Sequence, residues 1–179
     1  MTNSNRREFL RQTILHALQD SLAAYDAVEG VRLDIAILFG SAARPLVKPA
    51  SDLDVLLVFD SLPEGRRERE DLFWPALEAA DTRLRMLAVE GLDRSLSPLY
   101  RTTKDFLRWN PLYLDMATDH IILRDTSGTG AALLARVREW IVRSGTERVG
   151  KGSLWYWRIK GDPSVECDTA GLVRPRQEF

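Results

Sequence analysis

The residues whose types and spacing could do chemistry lie close together in the chain. Gly40-Ser41 is followed by ten residues, the last of them Ser51, and then by Asp52-Leu53-Asp54. Asp52 and Asp54 open a short apolar run, Leu53 to Phe59. On a strand, residues two apart share a face, so both carboxylates project together, with Cα atoms roughly 6.5 Å apart. Leu53 and Val55 then point the other way, into a core. Two carboxylates fixed side by side repel each other unless a cation neutralises them. Hard oxygen ligands suit Mg²⁺ or Mn²⁺, and Mg²⁺ binds through one or two carboxylates plus substrate phosphates. Two such ions about 4 Å apart can clamp the attacking and leaving oxygens of an in-line displacement at phosphorus. Gly40 lets the backbone approach a phosphate closely. Ser41 to Arg44 read as the start of a helical turn whose free N–H groups face a triphosphate, with the Ser41 hydroxyl as a further donor.

The elements that must position these groups can be read from apolar spacing. Phe9, Leu10, Ile14, Leu15, Leu18, Leu22 and Tyr25 recur three or four apart, which predicts a helix from Arg6 to about Val28, ended by Gly30. Leu33 to Phe39 and Leu53 to Phe59 read as buried strands. Pro45 and Pro49 forbid regular helix throughout the connection between them. Leu72, Phe73, Ala76, Leu77 and Ala80 predict a helix over Arg66 to Thr82, and Leu84 to Val89 is expected as a third strand. Pro98 and Pro111 are expected to cut Leu92 to Met116 into short helical pieces. His120 to Leu123 reads as a strand ending at Asp125. Ala131 to Val142 reads as an amphipathic helix stopped at Gly145, and Ser153 to Lys160 as an aromatic strand. Gly161 to Phe179 has no clear period.

Composition narrows the function classes. With 179 residues, 45% of them hydrophobic and 28% charged, the chain reads as a globular protein with one sizeable core. Its formal net charge of −1 and pI of about 6.2 do not describe the basic surface that non-specific nucleic-acid binding requires. Nucleic acid is therefore not expected as a tightly bound partner. Cys167 is the single cysteine, which excludes an internal disulfide and a thiolate zinc site and fits a reducing cytoplasm. No signal-type core and no apolar run of about 20 residues is visible, so no membrane association is expected.

The pattern Gly-Ser, ten residues, Asp-x-Asp is similar to the signature of the minimal nucleotidyltransferases of the DNA polymerase β superfamily. The resemblance covers about Leu33 to Val89. It implies an α/β protein of α+β type with a mixed sheet flanked by helices, and Mg²⁺- or Mn²⁺-dependent transfer of an NMP to a hydroxyl. AMP from ATP is the expected donor, ahead of other NTPs, with pyrophosphate leaving. Carried over by position, Gly40 and Ser41 match the phosphate-gripping pair, Asp52 and Asp54 the metal-binding carboxylates, and Ser51 the small polar residue before them. A third carboxylate is expected on the neighbouring strand, where it would help activate the acceptor hydroxyl. The candidate strand from Leu84 has no acid in its middle, which leaves Glu90 at its end or Asp81 before it. Two later segments, PLYLDMATDHIILRD and GKGSLWYWRIKGD, resemble the C-terminal half of a group of prokaryotic nucleotidyltransferase-domain proteins. The implied organisation is a nucleotidyltransferase domain over residues 1–125, with a helix–strand extension over 126–179 packed on the same unit.

Other residues invite plainer readings. Arg44 and Lys48 lie in the linking loop, where phosphate contact and solvent exposure are equally compatible with the sequence. Trp155, Tyr156 and Trp157 suit core packing or an interface better than base stacking, with Trp155 and Trp157 on one side of their strand. His16 and His120 read as structural and Cys167 as without a role. Three functions compete. The first is a nucleotidyltransferase whose acceptor is brought by a partner, as in antitoxins that adenylylate a HEPN toxin. The second is an inert nucleotide-binding module that lost the third acid. The third is a small-molecule transferase of the aminoglycoside-modifying kind, whose acidic cleft would have to come from Glu64, Glu68, Glu70 and Asp71. Those acids suit a solvated helix face better.

Overall fold

The protein is described here from a computed structural model, which covers residues 3–44, 52–86, 95–151 and 154–167. Four strands form one mixed sheet: β1 (Leu33–Phe39), β2 (Leu53–Phe59), β3 (Leu96–Thr102) and β4 (His120–Asp125), in the spatial order β3-β2-β1-β4. β1 runs antiparallel to both β2 and β4, while β2 and β3 are parallel. A parallel pair cannot be joined by a tight hairpin. Here α2 (Arg66–Met86) lies in the connection. The α+β class with a mixed sheet flanked by helices is the one expected from the resemblance.

Helices cover both faces of the sheet. On one side pack α1 (Asn3–Asp26) and α2. α1 buries Ile14, Leu18, Leu22 and Tyr25, and α2 buries Phe73, Ala76, Ala80 and Leu84, each set at helical spacing. They meet Leu53, Val55, Leu57 and Phe59 of β2. On the other side, α4 (Leu112–Thr118) and α5 (Thr129–Ser144) bring Leu114, Met116, Leu133, Val137 and Trp140 against Ile35, Ile37, Leu56 and Val58. Because β1 and β2 are covered on both faces, they read as nearly continuous apolar runs, broken only by Asp34 and Asp54, and not as alternating ones. α5 ends as expected at Gly145, whose φ of +72° suits a left-handed C-cap.

The third strand is not where the sequence suggested. Leu84 to Met86 are the last residues of α2, Leu84 continuing the buried stripe of Phe73, Ala76 and Ala80. The remainder of that expected strand, and Glu90 at its end, lie outside the described residues. The third strand is instead β3, in the segment expected to hold only short helical pieces. Pro98 is accommodated because β3 is the edge of the sheet, where a missing N–H interrupts no ladder on the outer side. The helical pieces beyond it are α3 (Thr103–Phe106) and α4.

The C-terminal part adds a hairpin. β5 (Glu147–Lys151), which the sequence reading missed, pairs antiparallel with β6 (Leu154–Arg158), the aromatic strand it anticipated. A short α6 (Pro163–Glu166) lies in the segment expected to be irregular. It is capped by Asp162 and tied to α5 by Trp140, whose Nε1 donates to Glu166 at 2.8 Å. No described helix is long and apolar enough to cross a membrane.

Candidate functional site

β1 ends in Phe39, directly opposite Asp54 on β2, and the chain then turns at Gly40. Gly40 has φ +72°, and Gly40–Ala43 form one tight 3-10 turn. The turn buries Ala42 and Ala43 and leaves Ser41 exposed. Glycine is required at residue 40 for a second reason besides its dihedral angle: a Cβ there would sit 2.5 Å from Asp54 Oδ2. The turn and the carboxylate therefore touch. The sequence reading anticipated both the turn after Gly40 and the shared face of the acids.

Leu53 and Val55 are buried on the α1/α2 side, so Asp52 and Asp54 alternate onto the other face, with Asp52 exposed and Asp54 half-buried. β3 supplies their neighbours. Ser95 Oγ donates to Asp52 Oδ1 at 3.1 Å, while the Ser95 carbonyl accepts from Leu53 N at 3.0 Å. Ser97 stands in register with Asp54, its hydroxyl on the side that favours the charged form of that carboxylate. Partial burial pushes the Asp54 pKa up, the charge of Asp52 adds to the rise, and the Ser97 hydroxyl works against it. A divalent cation would relieve this electrostatic conflict. The donor set of two adjacent carboxylate groups fits a hard ion that draws its other ligands from phosphates and water. Among the described residues no group of three or more His, Cys, Asp or Glu could hold a metal, so these two acids stand without a third.

Of the two candidates for a third carboxylate, Asp81 is committed elsewhere. It accepts from Leu96 N at 2.8 Å from α2, on the face of the sheet away from Asp54. Glu90, like Ser51 and Lys48, lies outside the described residues. The residue across from Asp54 on β3 is Ser97, and no acid occurs in β3. Ser95 and Ser97 were missed because their segment was read as helical. The available signal was the alternating Ser-Leu-Ser beside a proline that an edge strand accepts.

Arg44 ends the turn, its N–H on Ser41 O, and it is not simply solvated. Its Nε donates to Asp119 Oδ2 at 3.2 Å, and its guanidinium lies 5.6 Å from the Trp155 ring. Asp119 also takes both terminal nitrogens of Arg148, each at 3.0 Å. Arg148 lies over Trp155 at 4.3 Å and Trp157 at 5.2 Å, and Trp157 Nε1 donates to Asp115 at 2.8 Å. As expected, Trp155 and Trp157 share a side of β6 and meet edge to face, while Tyr156 is exposed on the other.

The remaining candidates are structural or solvated. His16 is exposed beside Asp20. His120 is half-buried, and burial holds its pKa down, so it is neutral near pH 7. Cys167 packs into the core under α5. Glu64, Glu68, Glu70 and Asp71 are exposed, with Glu70 paired to Arg66 at 2.7 Å. A groove of about 570 Å³ lined by Phe9, His16, Arg83 and Met86 lies between α1 and the end of α2, on the side of the sheet away from the acids.

Residues 33–108 match the family model described as a nucleotidyltransferase domain, a span that begins with β1 and ends just after α3. No curated protein and no solved structure shows significant similarity to the chain. The matched span holds β1, β2 and β3, the Gly40 turn and the carboxylate pair, so residues 33–108 of this chain are similar to a nucleotidyltransferase domain, and the mixed sheet flanked by helices is consistent with a polymerase β-like fold.

Proposed function

We propose that the protein transfers a nucleoside monophosphate, AMP from ATP, to a hydroxyl acceptor with release of pyrophosphate. The observation that carries this reading is the contact between the Gly40 turn and Asp54, which brings a backbone able to approach phosphate against a pair of acids able to bind metal. In this reading Asp52 and Asp54 hold Mg²⁺ or Mn²⁺, which when bound supplies positive charge at the reacting phosphate and at the leaving pyrophosphate. Gly40 and Ser41 grip the triphosphate, the glycine by leaving room and the serine through its hydroxyl. Ser51 belongs to the same nucleotide-binding set. Arg44, fixed at the end of the turn, faces the phosphates with its charge. Ser95, donating to Asp52, and Ser97, across from Asp54, orient the two carboxylates. The residues over 126–179 form an extension packed on the nucleotidyltransferase domain over 1–125. The acceptor hydroxyl belongs either to a small molecule or to a HEPN-type protein, and the size of the labelled product separates the two.

The test is incubation with Mg²⁺ and α-phosphate-labelled ATP, with and without lysate, beside an Asp52→Asn/Asp54→Asn variant. Label transferred, or pyrophosphate released, by the wild type and not by the variant supports the reading. Metal-dependent ATP binding with no transfer from any NTP overturns it in favour of a second reading, a nucleotide-binding module. The specific observation behind that alternative is Ser97, a hydroxyl directly across from Asp54 where a third acid would help deprotonate the acceptor. Ser97→Asp then separates the two further, because turnover gained by adding an acid there marks a competent site that lacks only its base.

A further inference from the structure

The C-terminal hairpin lies beyond the matched span, yet it is joined to the turn that follows β1. Arg44 and Arg148 are 104 positions apart in the sequence, from 44 to 148, and both ion-pair with one carboxylate, Asp119. Asp119 directly precedes His120, and His120 pairs with Phe39, which pairs in turn with Asp54. The shared carboxylate thus stands at the same end of the sheet as the metal-binding pair. The two arginine side chains keep 33% and 29% of their surface exposed, so neither is sealed away from a ligand. Their contacts differ. Arg44 makes a single bond to Asp119. Arg148 holds Asp119 with two nitrogens, reaches Thr118 Oγ1 at 2.8 Å and Asp115 at 3.6 Å, and lies over two indole rings.

From this asymmetry we infer that Arg148 is a positioning residue for the nucleotide site: by neutralising Asp119, it leaves Arg44 free to exchange that carboxylate for the triphosphate. The inference rests on the nucleotidyltransferase reading and extends it to the hairpin. Without Arg148, Asp119 has Arg44 as its partner, and a phosphate must compete against a bare carboxylate. With Arg148 in place, Arg44 can turn toward phosphate while Asp119 keeps two charge-assisted bonds. Trp155, facing both guanidinium groups, supports them through cation–π attraction in either arrangement.

The experiment is calorimetric titration of the full chain with Mg·ATP, for the wild type, Arg148→Ala, Asp119→Asn and the double variant Arg148→Ala/Asp119→Asn. Circular dichroism checks each fold, and Arg148→Gln stands in if the alanine variant does not fold. Arg148→Ala is expected to weaken Mg·ATP binding about tenfold, the worth of one charged hydrogen bond. The double variant is expected to regain most of that loss, because the competitor for Arg44 has gone. A merely structural role predicts the opposite, since the second substitution removes still more of the network. Arg148→Ala binding like wild type, or a double variant as weak as Arg148→Ala, overturns the inference and leaves the proposed function standing. A wild type that binds no Mg·ATP overturns the proposed function and this inference with it.

Discussion

Replacing Gly40 by alanine tests the contact on which the site depends, and Gly30 provides a control within the same molecule. Both glycines have positive φ, +72° and +80°. An L-residue in that region costs about 1–2 kcal/mol. The stiffer unfolded chain of an alanine variant returns about 0.4–1 kcal/mol. The backbone part of either substitution is thus a loss of about 1 kcal/mol. At Gly30 nothing lies within 4 Å of the new methyl group, so the cost stops there. At Gly40 the methyl carbon would lie 2.5 Å from Asp54 Oδ2, and the carboxylate must rotate away. Leaving its rotamer costs a further ~1 kcal/mol, and moving away from the Ser97 hydroxyl, which favours its charged form, adds up to about the same again. Gly40→Ala is therefore expected to lose about 2–3 kcal/mol in urea unfolding, against about 1 kcal/mol for Gly30→Ala. Calorimetric titration with Mn²⁺ should show weakened binding for Gly40→Ala alone. Equal stability losses together with equal Mn²⁺ binding in the two variants would refute the reasoning.

Two further predictions follow from single side chains. The folded-state pKa of Asp54 lies above its unfolded value, so the native protein holds that proton more tightly than the unfolded chain does. The resulting stability is present at acid pH and is lost as pH rises from about 3.9 through the raised folded value. Asp54→Asn should accordingly be more stable than wild type at neutral pH without divalent cations, with the gap closing as the pH is lowered. Added Mn²⁺ should stabilise the wild type only, and melting curves that coincide at every pH would contradict this account. Tyr113→Phe should cost about 1–3 kcal/mol in urea unfolding. It strands the carbonyl of Phe106, which the buried tyrosine hydroxyl meets at 2.8 Å, so an unchanged midpoint would show that carbonyl to be satisfied by other means.

Much of the fold was legible wherever one local cause dominated. β1 and β2 were readable to the residue because burial on both faces leaves apolar runs interrupted only by Asp34 and Asp54 and bounded by Gly40 and Asp60. The stop of α5 was readable because Gly145 supplies the left-handed cap. The third strand was misplaced because Leu84 is apolar for two incompatible reasons. It continues the helical stripe of Phe73, Ala76 and Ala80, and it also starts a run that resembles a strand. Pro98 misled in the same region, since a proline breaks a helix or a central strand but not the outer edge of a sheet. β5 is charged and carries Gly150, so its pairing with β6 leaves no apolar trace.

The candidate site divides along the same line. Gly40, Ser41, Asp52 and Asp54 are near neighbours in sequence, and a turn plus a strand period suffices to bring them together. Ser97 reaches Asp54 only through a parallel crossover, and Arg148 reaches Asp119 only through the packing of a hairpin. Spacing along the chain carries no sign of either contact.

The pleat of β2 gives the site a discrete character. Asp52, just before the strand, and Asp54 within it alternate with Leu53 and Val55, which are almost wholly enclosed on the opposite face. A slip of one residue would send both acids into the apolar layer beneath α1 and α2 and turn two aliphatic side chains toward the Gly40 turn. No intermediate alignment exists between these two states. In this sense the position of the carboxylates behaves like a digital setting, held by the same side chains that keep the interior dry.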